Sequence, residues 1–169
     1  MGACATAEGV ETLEAQAWRI AGDVADPEIP VLTIADLGVL RAVRVDGEGI
    51  AVDITPTYSG CPAMTMIAVE IEVALAKAGF AKIRVNTVLA PAWTTDWMSE
   101  EGRRKLAEYG IAPPRQGGGR RALFGVEAVG CPHCGSADTA EIAAFGSTSC
   151  KSLWRCNRCR EPFDYFKCH

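Results

Sequence analysis

The stretches Cys131-Pro132-His133-Cys134 and Cys156-Asn157-Arg158-Cys159 decide the fold of the last third of this 169-residue chain. Each has the C-x-x-C spacing that presents two thiolates to one metal ion, and 21 residues separate the two pairs. Four thiolates suit tetrahedral zinc, and a site closed by four cysteines is structural rather than catalytic. We therefore predict a β zinc ribbon over residues 123–169. Its ligands are Cys131, Cys134, Cys156 and Cys159, although thiolates alone do not exclude iron.

The sequence around the two pairs predicts a small domain with two spare thiols. Short β-prone runs lie at residues 126–129, 139–145, 153–155 and 163–166. A segment of about 45 residues cannot bury a large core, so metal binding must supply part of its folding free energy. Cys150 and Cys168 could replace a ligand, bind a second ion, form a redox pair or simply be buried. His133 lies inside a pair that two cysteines already serve, so we expect it to face solvent.

The ribbon is joined to the rest of the chain by residues 111–122, which are rich in proline and glycine and predict a linker. Residues 1–9 predict a flexible leader without the basic start and apolar run of a signal peptide. No apolar segment reaches the roughly 18 residues that cross a bilayer. We therefore expect a cytoplasmic protein, in which the eight cysteines serve as metal ligands or reactive thiols rather than disulfides.

Upstream of the linker, residues 10–110 alternate between helical and strand-like patterns. Apolar residues at helical spacing predict a first helix that ends before Asp26-Pro27. The elements that follow are two strands of a hairpin, a helix, a third strand and a short polar helix, at residues 37–45, 50–55, 62–79, 82–88 and 99–109. The order α-β-β-α-β-α predicts a small α/β (α+β) domain in which helices cover a mixed sheet.

Cys61 lies in the turn Ser59-Gly60-Cys61-Pro62, at the entrance to the second predicted helix. Gly60 suits a tight turn, and Pro62 suits the first helical position. Unpaired N–H groups and the helix dipole stabilise a thiolate at such a position. Cys61 is therefore a candidate nucleophile, redox centre or ligand of a transient metal or cluster. The alternative is a small buried residue at a helix start.

Three motifs in this order resemble the MIP18 family, also called DUF59, whose members assist iron–sulfur cluster assembly. They are Asp26-Pro27-Glu28-Ile29-Pro30-Val31 with residues 34–39, the turn Gly60-Cys61-Pro62, and residues 90–99. The resemblance covers residues 10–110 and implies a MIP18-like fold with a pocket for iron, a cluster or a client protein. The pocket residues that it implies are Asp26, Glu28, Asp36, Cys61, Thr94 and Asp96. The alternative is that the carboxylates serve turns and that the 94–97 segment is a helix cap with a packed indole.

With its ribbon, the whole chain resembles the D-subunit family encoded with phenylacetyl-CoA epoxidases, the ring-epoxidising oxygenases of phenylacetate degradation. This resemblance implies that the partners are a di-iron oxygenase and a reductase that carries flavin and a [2Fe–2S] cluster. It also implies an accessory role in the maturation of their metal centres.

The sequence lacks the patterns that the catalytic partners need. It has no G-x-G-x-x-G fingerprint and no phosphate loop, and it has no Glu-x-x-His motif for a helical di-iron site. We therefore predict an accessory component rather than an enzyme by itself. One alternative is a bridging subunit without thiol chemistry. Another is a nucleic-acid-binding ribbon that uses Arg155, Arg158 and Arg160, which the net charge of −4 disfavours.

Overall fold

The computed structural model of the chain describes residues 11–47, 49–114 and 129–167. Its helices are α1 (Leu13–Gly22), α2 (Ala63–Lys77) and α3 (Glu100–Glu108), and a 3₁₀ turn (Thr95–Trp97) precedes α3. Its strands are β1 (Leu40–Asp46), β2 (Gly49–Ile54), β3 (Ile83–Thr87), β4 (Ile111–Ala112), β5 (Thr139–Ala143), β6 (Lys151–Cys156) and β7 (Pro162–Phe166). Within these ranges no helix is both long and apolar enough to cross a membrane.

The first sheet has the order β1-β2-β3 and is mixed, as the sequence predicts. Strands β1 and β2 form an antiparallel hairpin, and β3 returns parallel to β2 after the crossover through α2. The apolar face of α2, with Ile67, Ile71 and Leu75, is buried in the core beside the α1 residues Ala17 and Ala21. The predicted order of helices and strands is therefore confirmed.

Residues 25–39, which we call the buried loop, were expected to be partly strand and are instead irregular. Ile29, Leu32 and Ile34 of this loop are almost completely buried. Strand β1 begins at Leu40 rather than at residue 37, because Gly38 has a left-handed backbone with φ of 69°. A side chain at Gly38 would also place its Cβ only 2.5 Å from the Trp97 carbonyl oxygen.

The second sheet has the order β4-β7-β6-β5 and contains the ribbon. Strand β4 pairs parallel to β7, so Ile111 and Ala112 belong to this sheet and not to the linker that the sequence predicts over 111–122. The predicted strands near 139–145, 153–155 and 163–166 correspond to β5, β6 and β7. Most of the predicted strand 126–129 and the predicted linker after residue 114 lie outside the described residues.

The ribbon shares a core with the first domain, which the sequence did not indicate. Phe166 of β7 and Cys150, just before β6, are 1% and 4% exposed and pack among the core residues of the first domain. The ring of Phe166 lies 6.1 Å from that of Trp93, centroid to centroid. The two predicted domains are therefore docked, and residues around Cys150 face the first domain.

Candidate functional site

The four ribbon cysteines converge on one point. Their sulfur atoms all lie within 4.8 Å of one another, with Cys131 and Cys159 at 3.7 Å and Cys134 and Cys156 at 3.6 Å. A tetrahedral ion with Zn–S bonds of about 2.3 Å needs sulfur–sulfur edges of about 3.8 Å. The donor set therefore fits a structural zinc ion, as the sequence predicts.

Backbone geometry holds each cysteine pair in a tight turn. Gly135 has φ of 72°, and its N–H donates to the Cys131 carbonyl at 2.9 Å. In the second pair, the N–H of Cys159 donates to the Cys156 sulfur at 3.4 Å. This hydrogen bond is the main reason that the pKa of Cys156 is lowered to about 6. His133 is exposed, as expected. Cys168 lies outside the described residues.

Cys61 lies immediately before α2, where the sequence predicts it. Its N–H donates to the Tyr58 carbonyl at 3.1 Å, which closes the turn, and its sulfur accepts the N–H groups of Ala63 and Met64. The thiol is partly exposed. Gly60 has no left-handed φ, so the turn does not require the conformational freedom of glycine there.

The ionisation of Cys61 differs from the sequence-based expectation. Burial raises the pKa of this thiol, and the negative charges of Glu28 and Asp26 raise it further. The N–H groups at the start of α2 lower the pKa but do not outweigh these effects. The uncharged thiol is therefore the resting form. The same two carboxylates that would attract a cation repel the negative charge of a free thiolate. The role of Cys61 as a reactive thiol stays a prediction.

Asp26 and Glu28 come to Cys61 from the buried loop. One oxygen of Asp26 accepts the N–H groups of Glu28 at 2.9 Å and Ile29 at 2.7 Å, so Asp26 fixes the local turn. Burial raises the pKa of Asp26, although these two hydrogen bonds and the charge of Lys151 oppose the rise. Asp26 therefore has the structural role of the alternative interpretation and also acts electrostatically on Cys61.

Cys150 is the residue whose position the sequence did not reveal. Its sulfur lies 3.7 Å from the Glu28 carboxylate and 3.0 Å from the Thr148 hydroxyl oxygen. Burial raises its pKa, and Glu28 and Asp26 raise it further, against the opposing effects of Thr148 and Lys151. The sequence identifies a spare thiol, but Glu28 and Cys150 are 122 residues apart and only the docked ribbon brings them together.

Tyr58 packs against the core cluster that contains Cys150, as Cys61 does. Its hydroxyl shares a hydrogen bond with Ser149, and burial raises its pKa with smaller contributions from Cys61, Glu28 and Cys150. The pKa of this one phenol is therefore raised by groups of both domains. We call the set Asp26, Glu28, Tyr58, Cys61 and Cys150 the thiol pocket.

Asp36 is engaged in a different network. Its carboxylate accepts hydrogen bonds from Lys105 at 2.7 Å, from the Ser99 hydroxyl at 3.2 Å and from the Thr33 N–H at 3.1 Å. Burial raises its pKa, but the Lys105 hydrogen bond and the others outweigh burial and lower it overall. These contacts support the turn-capping alternative, because they join the buried loop to the start of α3. Membership of Asp36 in the pocket stays a prediction.

Asp96 lies in the 3₁₀ turn that precedes α3, and Thr94 is the residue just before this turn. The Thr94 hydroxyl accepts the Asp96 N–H at 3.2 Å and caps the turn. Trp93 is 5% exposed and donates its indole N–H to the Leu37 carbonyl at 2.9 Å, whereas the Trp97 ring lies under the Arg41 guanidinium. These contacts agree with the alternative of a cap beside a packed indole, and the predicted pocket roles of Thr94 and Asp96 stay predictions.

Comparison with known proteins identifies both parts of the chain. The family described as iron–sulfur cluster assembly protein matches residues 14–88, and the family described as PaaD zinc beta ribbon domain matches residues 116–167. The D subunit of the Escherichia coli (strain K12) "Putative 1,2-phenylacetyl-CoA epoxidase" is 52% identical over 89% of this chain and 90% of its own length. The Staphylococcus aureus (strain USA300) Fe-S protein maturation auxiliary factor SufT is 40% identical over 49% of this chain and 96% of its own length.

The fold of the first domain has a counterpart among solved structures. A DUF59 domain of unknown function from Bacillus anthracis superposes with a TM-score of 0.52 at 27% identity, over 55% of this chain and 90% of that one. The chain therefore belongs to the DUF59 (MIP18) iron–sulfur cluster assembly family, in the branch that carries a PaaD zinc beta ribbon.

Proposed function

We propose that this chain is a maturation factor that holds iron or an iron–sulfur cluster transiently at Cys61 and passes it to a partner in a phenylacetyl-CoA epoxidase system. The observation that carries the proposal is the partly exposed Cys61 thiol, held by two N–H groups of α2 and subject to the negative charges of Glu28 and Asp26. Thiolate and carboxylate donors together suit iron, and a partly exposed site allows the cargo to leave.

The names of the relatives support the two halves of this proposal. SufT is named as a maturation factor, and the E. coli relative is named as part of an epoxidase. We infer that the clients are the [2Fe–2S] reductase and the di-iron oxygenase, and that the chain is an accessory component without turnover of its own. We also propose that it works in the cytoplasm, where the thiols stay reduced.

The test is the metal content of the clients in cells that carry Cys61→Ser. The reductase and oxygenase are purified from these cells, from wild-type cells and from cells with Cys4→Ser, which removes a thiol from the N-terminal segment that the sequence predicts to be a leader. We expect Cys61→Ser to lower the [2Fe–2S] or di-iron content several-fold and Cys4→Ser to leave it unchanged. Full metal content in both clients of the Cys61→Ser strain would contradict the proposal.

A second candidate is a stable bridging subunit of the oxygenase complex. It is favoured by strand β5, which lies at the edge of the second sheet, and by two exposed apolar residues, Ile142 in this strand at 53% and Phe145 just after it at 67%. Size-exclusion chromatography of the co-expressed system distinguishes the two functions. A stoichiometric complex that survives Cys61→Ser supports bridging, and a transient association supports delivery.

A further inference from the structure

We propose that Cys150 of the ribbon is a second thiolate ligand for the metal held at Cys61, so that the docked ribbon completes the metal-receiving site. This inference rests on the proposed function for the identity of the cargo. It adds to that function a ligand from the other domain and a reason for the ribbon to be joined to this domain.

The first step is the contact between the two domains at Glu28. The Cys150 sulfur lies 3.7 Å from the Glu28 carboxylate, and the same carboxylate acts on Cys61. The Glu28 carboxylate is therefore close to the Cys150 thiol of the ribbon and acts electrostatically on the Cys61 thiol of the first domain. This carboxylate does not stabilise the thiols themselves, because burial and a nearby negative charge both disfavour the charged form of a thiol.

The second step is the packing of Tyr58 and Cys61 against the core cluster that contains Cys150. The phenol is affected by Cys61, by Glu28 and by Cys150, and it shares a hydrogen bond with Ser149, the residue before Cys150. This hydrogen bond anchors the Cys150 turn to the turn that carries Cys61.

The third step is the charge of the site. Two thiolates with Glu28 and Asp26 would place four negative charges together, which only a cation can stabilise at low exposure. Lys151 is 4% exposed and forms an ion pair with Asp164 at 3.8 Å, and its charge also lowers the pKa of Asp26 and Cys150. Soft sulfur donors with a carboxylate select a transition-metal ion such as Fe²⁺ rather than Mg²⁺ or Ca²⁺.

Binding requires the donor atoms of the site to move closer together. Among the described residues, the set of three or more donors that lie mutually within 4.8 Å is the ribbon set, so Cys61, Cys150 and Glu28 are spread more widely. Metal binding would therefore have to draw the two sulfur atoms and the carboxylate together. Each sulfur forms one bond to the ion as its S–H bond breaks, and the two protons pass to water without any change of oxidation state.

The test uses Co²⁺ as an anaerobic probe of the full-length protein with zinc already in the ribbon. The intensity of the sulfur-to-cobalt charge-transfer band measures the number of thiolate ligands. We expect Cys150→Ser to halve the band per bound cobalt and to weaken binding roughly tenfold or more. Cys4→Ser is the thiol-removal control and should match wild type. Unchanged intensity and affinity in Cys150→Ser would overturn the inference.

The companion variant separates this inference from the proposed function. If Cys61→Ser abolishes the band while Cys150→Ser leaves it unchanged, Cys61 is a ligand and the role of Cys150 is refuted. If Cys61→Ser keeps the full band, or wild type gives none, both are refuted. Should Cys150→Ser fail to fold, cobalt-edge X-ray absorption of the wild-type protein decides the matter. We expect two sulfur neighbours around cobalt, and one sulfur or none refutes the inference.

Discussion

Cys61 combines two opposing influences on a single sulfur atom. The N–H groups of Ala63 and Met64 favour the thiolate, whereas burial, Glu28 and Asp26 favour the neutral thiol and dominate. A cation reverses this balance, because it removes the electrostatic cost of placing a thiolate beside carboxylates. The residue is therefore suited to ionise when metal arrives rather than to react beforehand.

A dependence of metal affinity on pH follows from this balance. Because burial raises the pKa of both Cys61 and Cys150, each thiol is protonated at neutral pH and must lose a proton to bind a metal. Affinity for Co²⁺ should therefore rise with pH, by about tenfold per pH unit for each thiol that binds, until the pH exceeds the pKa. The titratable or charged groups that interact with the two thiols are Glu28, Asp26, Tyr58 and Lys151.

Calorimetric titrations in buffers of different ionisation enthalpy measure the protons released. We expect about two protons per cobalt in wild type and about one in Cys150→Ser. An affinity that does not change between about pH 6.5 and 8 would mean that the thiols are already ionised.

At the scale of the elements, Asp36 joins the buried loop to α3. Replacing it with alanine leaves Lys105 and the Thr33 N–H without their carboxylate partner, so Asp36→Ala should lower the free energy of unfolding by about 2 kcal/mol. Urea denaturation measures this loss. Glu101→Ala, which removes an exposed partner of Arg104 on α3, is the matched control and should cause no measurable change.

The Asp36 effect has a defined dependence on pH. The pKa of this carboxylate is lowered in the folded chain, so its contribution is complete above the ordinary pKa of about 4 and is lost as the pH falls through the lowered value. The difference between wild type and Asp36→Ala should therefore shrink in acid. A difference that grows in acid, or an equal loss in Glu101→Ala, would contradict this role.

The sequence predicts helices and strands where local rules are sufficient. Thr12 caps α1, Gly79 ends α2 with φ of 92°, and Ser99 caps α3. The irregular structure of the buried loop was not predicted, because its buried residues follow no single period: Ile29 and Leu32 are three apart, whereas Leu32 and Ile34 are two apart. The position of Cys150 escaped prediction for another reason, since its contact with Glu28 depends on how the ribbon docks and not on local sequence.

At the scale of the whole molecule, β7 divides its aromatic residues between two cores. Phe166 belongs to the core of the first domain, whereas Phe163 belongs to the smaller core that contains Cys131 and Cys156. Zinc therefore stabilises the ribbon directly and the thiol pocket indirectly, because β6 and β7 position Cys150 against the first domain.

Two matched substitutions on β7 test this division. Phe166→Ala should cost about 3–5 kcal/mol and loosen the docked ribbon, so that Cys150 becomes faster to alkylate while zinc is retained. Phe163→Ala should instead speed the loss of zinc to a chelator. Peptide mass spectrometry after alkylation and zinc analysis measure the two outcomes. If both variants changed the alkylation rate and the rate of zinc loss by the same amount, the division of the two aromatic residues between two cores would be contradicted.

The most direct measurement of the central claim is the metal content of the chain after anaerobic dialysis against Fe²⁺, for wild type and for Cys61→Ser. Zinc analysis identifies the ribbon ion, and we expect about one zinc per chain in both proteins. Iron should be bound by wild type and lost in Cys61→Ser. Equal iron in the two proteins would contradict the claim that Cys61 receives the metal.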